Sequence, residues 1–234
     1  MRVRIRYAKL GKVRFLSHRD LARIIERGVR RAGLPVSYSQ GFSPHARLHF
    51  GLALSTGHES LAEYVDVDVE DDRGVVAEDV AARLAPCLPV GITSTASRGL
   101  EPGTPSLQDS VTSSTWELSV PSADATACAE AAAAMLAATE LPLDLVRKGK
   151  QVREDLRPLL LDLEVGRTAS GTLLVAELGT KPRSVRPAEL LAAMRLDEVP
   201  VRVTRTHQWI TSDGGRREPI ELAAPSPHAE ARAS

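Results

Sequence analysis

Period-two alternation constrains this chain more than any other feature. In RVRIRY, residues 2–7, Val3, Ile5 and Tyr7 alternate with Arg2, Arg4 and Arg6. In EYVDVDVE, residues 63–70, Val65, Val67 and Val69 alternate with Tyr64, Asp66 and Asp68. Successive side chains of a strand point to opposite faces, so each stretch predicts a strand with one apolar and one polar face. The segment between them supplies a cover for the apolar side. Ser17 and Asp20 have the spacing of a capping box. Beyond them Leu21, Ile24, Ile25, Gly28, Val29 and Ala32 fall on one side of a helix and Arg19, Arg23, Arg27 and Arg30 on the other, until Gly33 and Pro35 end it.

Short strands are expected at 13–16 and 46–50, a helix at 75–84 stopped by Pro86, and a strand at 90–97. Apart from the extra strand at 13–16, the order is strand, helix, strand, strand, helix, strand, which is the ferredoxin-like split arrangement. It recurs further on, with strands at 115–120, 143–147, 159–165, 172–178 and 201–209 and helices at 123–139 and 187–194. The expected fold is therefore α+β, two tandem ferredoxin-like units with antiparallel sheets. The first spans 1–98, a Gly/Pro/Ser-rich linker 99–110, the second, decorated unit 111–210, and a disordered tail 211–234.

The formal net charge is zero, but it averages unlike segments. Residues 1–50 hold 12 Lys/Arg against 2 Asp/Glu, and residues 51–100 hold 3 against 9. The basic first segment points to a polyanionic or acidic partner. Cys87 and Cys128 lie far apart in sequence, so neither has a second thiol nearby to build a zinc or iron–sulfur site, and no metal or cofactor is expected on this chain. No apolar run approaches the roughly 20 residues of a membrane span, and a charged, alternating start argues against a secretion signal, so the expected location is the cytoplasm. GxxxxGK[ST] and HExxH are absent, as are paired carboxylates at a recognisable spacing.

Candidate sites fall into groups. Arg2, Arg4 and Arg6 form either an open basic platform for a nucleic-acid backbone or cross-strand pairs with Asp66 and Asp68. Arg19 and Arg23, with Arg27, Arg30 and Arg31, form a one-sided basic helix face. The loop SYSQGFSPHARLHFG, residues 37–51, offers Gln40, Phe42, Ser43, His45 and Arg47, with Phe42 available to stack on a base or to cover the helix end. Lys148, Lys150 and Arg153 surround an expected hairpin turn. Lys181, Arg183 and Arg186 precede Pro187 at an expected helix start and read as an anion site. His18 and His45 are the candidates for acid–base work near neutral pH, and either can serve metal-independent cleavage of RNA in a second functional reading.

Residues 15–70, from FLSHRDLARIIERG through SQGFSPH to EYVDVDVE, together with LVRKGKQVREDLRP, resemble a bacterial family described as radical SAM-linked proteins. The resemblance extends from residue 1 to about 210. It implies a partner: a radical SAM protein with a cobalamin-binding-type region, encoded beside or fused to such chains, often near genes for an RNA-processing ribonuclease and ribosomal proteins. Radical SAM clusters need closely spaced cysteines that this chain lacks, so radical chemistry would occur on the partner. At fold level the expected architecture is similar to that of CRISPR repeat-processing endoribonucleases, whose Gly-rich loop is not matched near the C-terminus here. The leading expectation is an RNA-binding accessory protein that presents tRNA or rRNA to the radical SAM partner. The alternatives are the endoribonuclease using His18 or His45 and a protein-only adaptor that docks the partner.

Overall fold

The first half of the chain contains β1 (Arg2–Lys9), α1 (His18–Arg31), β2 (Leu48–Phe50), β3 (Glu59–Asp68), α2 (Val80–Leu84), β4 (Ile92–Leu100) and α3 (Leu107–Ser110). The second contains β5 (Ser113–Val120), α4 (Ala125–Ala137), β6 (Pro142–Arg147), β7 (Lys150–Asp155), β8 (Leu160–Thr168), β9 (Gly171–Gly179), α5 (Pro187–Ala193), β10 (Arg202–Ser212) and β11 (Gly215–Arg217). This computed structural model describes residues 1–42, 44–70, 74–147, 149–169, 171–196, 200–213 and 215–220.

The result is a mixed α/β structure built on one large sheet of order β4-β1-β3-β10-β5-β9-β8, with β2 added to β3 and β11 to β10; β6 and β7 form a separate hairpin. The alternating stretches pair antiparallel, with Val3 opposite Val67, Arg4 opposite Asp66 and Ile5 opposite Val65. Among the described residues the sheet is antiparallel except where β3 and β10 run parallel, at Glu59 with Thr204 and Ser60 with Arg205. That short ladder joins the two halves.

Helix α1 begins where the capping box places it. Ser17 Oγ accepts from the Asp20 N–H and donates to the Asp20 carboxylate at 2.7 Å. Its apolar side packs Leu21, Ile25 and Val29 against Val3, Ile5, Val65 and Val67. Fully burying each such side chain contributes about 1.5–3 kcal/mol. Gly28 permits close approach of α1 to α2 and the segment after it, since a Cβ there would lie 2.9 Å from Leu88 and 3.1 Å from Leu84. In the second half, Trp116, Leu118, Leu174, Ala176 and Leu178 meet Cys128, Ala132 and Met135 of α4 and Leu190 and Leu191 of α5.

Three sequence expectations need correction. Residues 13–16 are not a strand; Gly11–Phe15 form a 3-10 turn, because β4 and β3 already occupy both edges of β1. The expected linker 99–110 begins inside β4 and contains α3, which a second Ser-x-x-Asp box, Ser106 to Asp109, caps, and it buries Leu107. The expected disordered tail continues β10 to Ser212, forms β11 and buries Ile220; residues 221–234 lie outside the described residues.

These two segments also close the sheet face for which the sequence left an open platform and cross-strand pairs as alternatives. Leu107, Val111, Ile210 and Ile220 cluster on Ala62 and Tyr64, which share the face of Arg4 and Arg6. Among the described residues no helix is long and apolar enough to cross a membrane.

Candidate functional site

Burial of that face decides the strand arginines. Arg4 is 2% exposed and holds Asp66 through two bonds, Nε to Oδ1 at 2.8 Å and Nη2 to Oδ2 at 2.9 Å. Arg6, also buried, donates to the Tyr64 hydroxyl at 3.3 Å and reaches Glu218 at 3.5 Å. Neither is available to a phosphate, so both leave the candidate set. Arg2 at the sheet end is more exposed and pairs with Asp68 at 2.7 Å. Desolvation raises the pKa of the Asp68 carboxyl, yet hydrogen bonds from Arg2 and His49 outweigh it and hold that carboxyl below its usual range.

The helix face is different. Arg19, Arg23, Arg27, Arg30 and Arg31 are all exposed. Arg23 approaches Asp20 at 3.7 Å and Arg30 approaches Glu26 at 3.6 Å. Exposed pairs of this kind contribute less than about 1 kcal/mol, so a polyanion can displace them. Arg19, Arg27 and Arg31 form no ion pair among the described residues. Arg27, Arg30 and Arg31 border a groove of about 660 Å³ whose apolar side is Ile24, Leu88 and Cys87.

The loop after α1 is closed at its base and open at its tip. Tyr38 bridges to Ala46, the Ser39 N–H donates to the His45 carbonyl at 2.9 Å, and the His45 N–H donates to Ser39 Oγ at 3.0 Å. Gly41 takes φ 128°, a conformation open to glycine, and carries the turn. Gln40, Phe42 and His45 project into solvent, Phe42 completely. Phe42 therefore does not cover the helix end. Ser43 lies outside the described residues. Arg47 borders a second groove of about 520 Å³ with Arg2, Asp68 and the turn at 101–104. A second exposed aromatic, Phe15, sits beneath the Arg14 guanidinium at 4.8 Å. His18 packs edge-on against Phe50 at 4.9 Å, which anchors the start of α1 on β2. Among the described residues neither the His18 nor the His45 ring hydrogen-bonds to a side chain that would make it an acid–base pair.

The structure brings together two groups that the sequence kept apart. Arg147, at the end of β6, and Arg183 share Glu154 and Glu189 in a closed ring of alternating charge. Arg147 donates to Glu154 at 2.8 Å and to Glu189 at 3.0 Å, while Arg183 donates to Glu154 and, at 2.7 Å, to Glu189. Against the cost of desolvation, the bonds from both arginines hold the Glu154 carboxyl below its usual range. Arg147 and Arg183, with Arg186, line a cavity of about 260 Å³ against the segment 52–55, with Trp116 and Arg205 on its inner side. Lys181 does not join them; its Nζ donates to the Gln108 carbonyl at 2.6 Å. Lys150 and Arg153 are exposed on the hairpin, and Lys148 lies outside the described residues.

Sequence reasoning missed Arg205, Glu63 and Lys9. Arg205 is 2% exposed and pairs with Glu63 at 2.5 Å, and Lys9 is buried with its Nζ on the carbonyls of Arg14 and Leu16. Desolvation holds the Lys9 ammonium pKa below its usual range, against a smaller opposing effect of the Glu63 charge. A signal existed: each occupies the apolar parity of its strand, after Val3-Ile5-Tyr7, before Val65-Val67, and after Val203. His207 stacks on Trp209 at 5.0 Å, with Arg216 over the same indole at 3.8 Å.

Among the described residues no group of three or more His, Cys, Asp or Glu is placed to hold a metal ion. No curated protein matches this chain. The match that does exist spans residues 2–187, from the start of β1 into α5, and by it the chain belongs to the family described as uncharacterized protein conserved in bacteria (DUF2344).

Proposed function

We propose that this protein is a cytoplasmic RNA-binding accessory that presents tRNA or rRNA to a radical SAM partner, with the chemistry carried out on the partner. The observation that carries the reading is the exposed arginine row of α1, weakly compensated and flanked by the solvent-facing tip of the 37–47 loop. Phosphates would meet Arg19, Arg23, Arg27 and Arg30, while Phe42 and Phe15 offer faces on which bases can stack, and Lys150 and Arg153 extend the contact. The radical SAM link rests on the sequence resemblance. The strand orders β4-β1-β3-β2 and β10-β5-β9-β8 support the finer reading of two tandem ferredoxin-like units, with β6 and β7 as an insertion in the second.

The test is binding of purified tRNA and rRNA over a range of salt. Changing Arg19, Arg23 and Arg27 to Gln should weaken binding and lower the slope of log K against log salt by about 0.7–0.9 for each phosphate that is no longer neutralised. No binding at low salt, or binding that these substitutions leave alone, sinks the reading. The groove of about 660 Å³ beside α1 keeps the adaptor reading in view, since its arginines and apolar side also suit an acidic protein surface. In that case the complex with the radical SAM partner survives RNase treatment while RNA binding is absent.

A further inference from the structure

The cavity between the 52–55 segment and the Arg183–Pro187 stretch has the construction of an anion site separate from the α1 face. Four arginines line it, from β6, from the segment before α5 and from β10, and no carboxylate does. The carboxylates stand behind. Glu154 and Glu189 fix Arg147 and Arg183, and Glu63 fixes Arg205 through Nε at 2.9 Å and Nη2 at 2.5 Å. Arg205 Nη2 also donates to the Leu52 carbonyl at 3.0 Å, which ties the guanidinium to the cavity wall. One nitrogen on each remains without a protein acceptor among the described residues: Arg147 Nη1, Arg183 Nη2 and Arg205 Nη1. Arg186, exposed at the rim, makes no ion pair among the described residues.

Oriented in this way, the inner arginines contribute N–H donors without the rotamer entropy of mobile surface side chains, and their charge is balanced from behind while Arg186 supplies the uncompensated cation. Donors arriving from several elements suit a tetrahedral oxyanion better than a planar carboxylate, which two parallel bonds from one arginine already satisfy. The rest of the wall combines the apolar Trp116, Leu52, Leu54, Val185 and Pro187 with small residues, serines among them. At about 260 Å³ the space lies just under the roughly 300–1,000 Å³ usual for drug-sized ligands, so it suits a phosphoryl group with a small organic body.

We infer that this cavity binds a phosphate monoester, its phosphoryl oxygens on Arg147, Arg183 and Arg186, with the buried Arg205 adding positive charge from the inner wall and the organic part against Trp116. Two sources share that chemistry: a free small phosphate ester and the terminal phosphate of an RNA strand.

Calorimetric titration of the full chain separates them. The probes are ribose 5-phosphate with ribose as the uncharged control, and a short oligoribonucleotide with and without its 5′-phosphate. The expected result is saturable binding that requires the phosphoryl group, weakened at least about tenfold in Arg186→Glu, the scale of one missing charge-assisted bond. That variant alters a rim residue and should melt like the wild type; Arg183→Gln gives a second, more invasive check. Binding of both phosphorylated probes assigns a free ester as a ligand, and binding of the phosphorylated oligonucleotide alone assigns an RNA end. The inference is overturned if neither phosphorylated probe binds better than its unphosphorylated counterpart, or if Arg186→Glu binds as the wild type does. Changing Arg19 and Arg27 to Gln on α1 should leave ribose 5-phosphate binding intact, so failure of the RNA reading and failure of this site give different results.

Discussion

Replacing Asp66 by Ala tests whether Arg4 is structural. The substitution removes both acceptors of a guanidinium that is 2% exposed and leaves it charged in the sheet interior. An exposed pair would lose under about 1 kcal/mol, whereas breaking a buried pair from one side costs about 3–5 kcal/mol, because the desolvated charge loses its partner. At about 2–4 °C per kcal/mol for a chain of this size, the melting temperature should fall by about 6–20 °C. Thermal and urea unfolding followed by circular dichroism measure it. The double variant Arg4→Met with Asp66→Leu removes the charge as well as the partner and should recover most of the loss, since apolar replacement of a buried ion pair is often neutral or better. That folded double variant should also bind RNA as the wild type does. A loss below about 1 kcal/mol in Asp66→Ala would refute the burial argument, and weakened RNA binding in the double variant would return Arg4 to the phosphate contacts.

Two further outcomes follow from buried groups. Burial, then the charges of Arg205 and Lys9, push the His58 imidazole below its ordinary value of 6.5, and its Nδ1 has no hydrogen-bond partner among the described residues. Below that value the unfolded chain binds more protons than the folded one, so His58 costs stability in acid and the cost vanishes as the pH rises past 6.5. Urea unfolding from about pH 5 to 7 should show stability rising with pH, less steeply in His58→Gln; equal slopes would contradict this. Ile220→Ala should cost about 2–5 kcal/mol, because Ile220 is 5% exposed against Tyr64 and Leu107, and a change under about 0.5 kcal/mol would mean that the segment after β11 does not hold the sheet.

The legible part of the site was the part that depends on neighbours in sequence. Ser17 and Asp20 announced α1, its three-and-four spacing placed the arginines outward, and Gly41 and Pro44 announced the turn at 37–51. Of the cavity only Arg183 and Arg186 were legible, as cations ahead of a helix start. Arg147, Arg183 and Arg205 meet only because the β6-β7 hairpin and the segment before α5 converge over β10 and β5, a placement that no local pattern encodes. Nor did composition reveal the structure of 211–213 and 215–220, because the β10–β11 pairing, the buried Ile220 and the ion pairs of Arg216 with Glu177 and Glu218 with Arg6 hold a mostly polar segment.

By itself the sequence determined most of the strands and helices and which side of each is apolar, because periodicity and capping act over a few residues. The tertiary structure alone decided what lies across from each charged face. Arg4 and Arg19 both sit on the polar side of an amphipathic element, yet α3, β10 and Ile220 pack over the face of one and nothing described covers the other. A charge is a ligand contact or a buried pair according to what the chain places on it from far away in sequence, 62 residues from Arg4 to Asp66 and 142 from Arg205 to Glu63. Desolvation, which sets that outcome, is a property of the assembled fold.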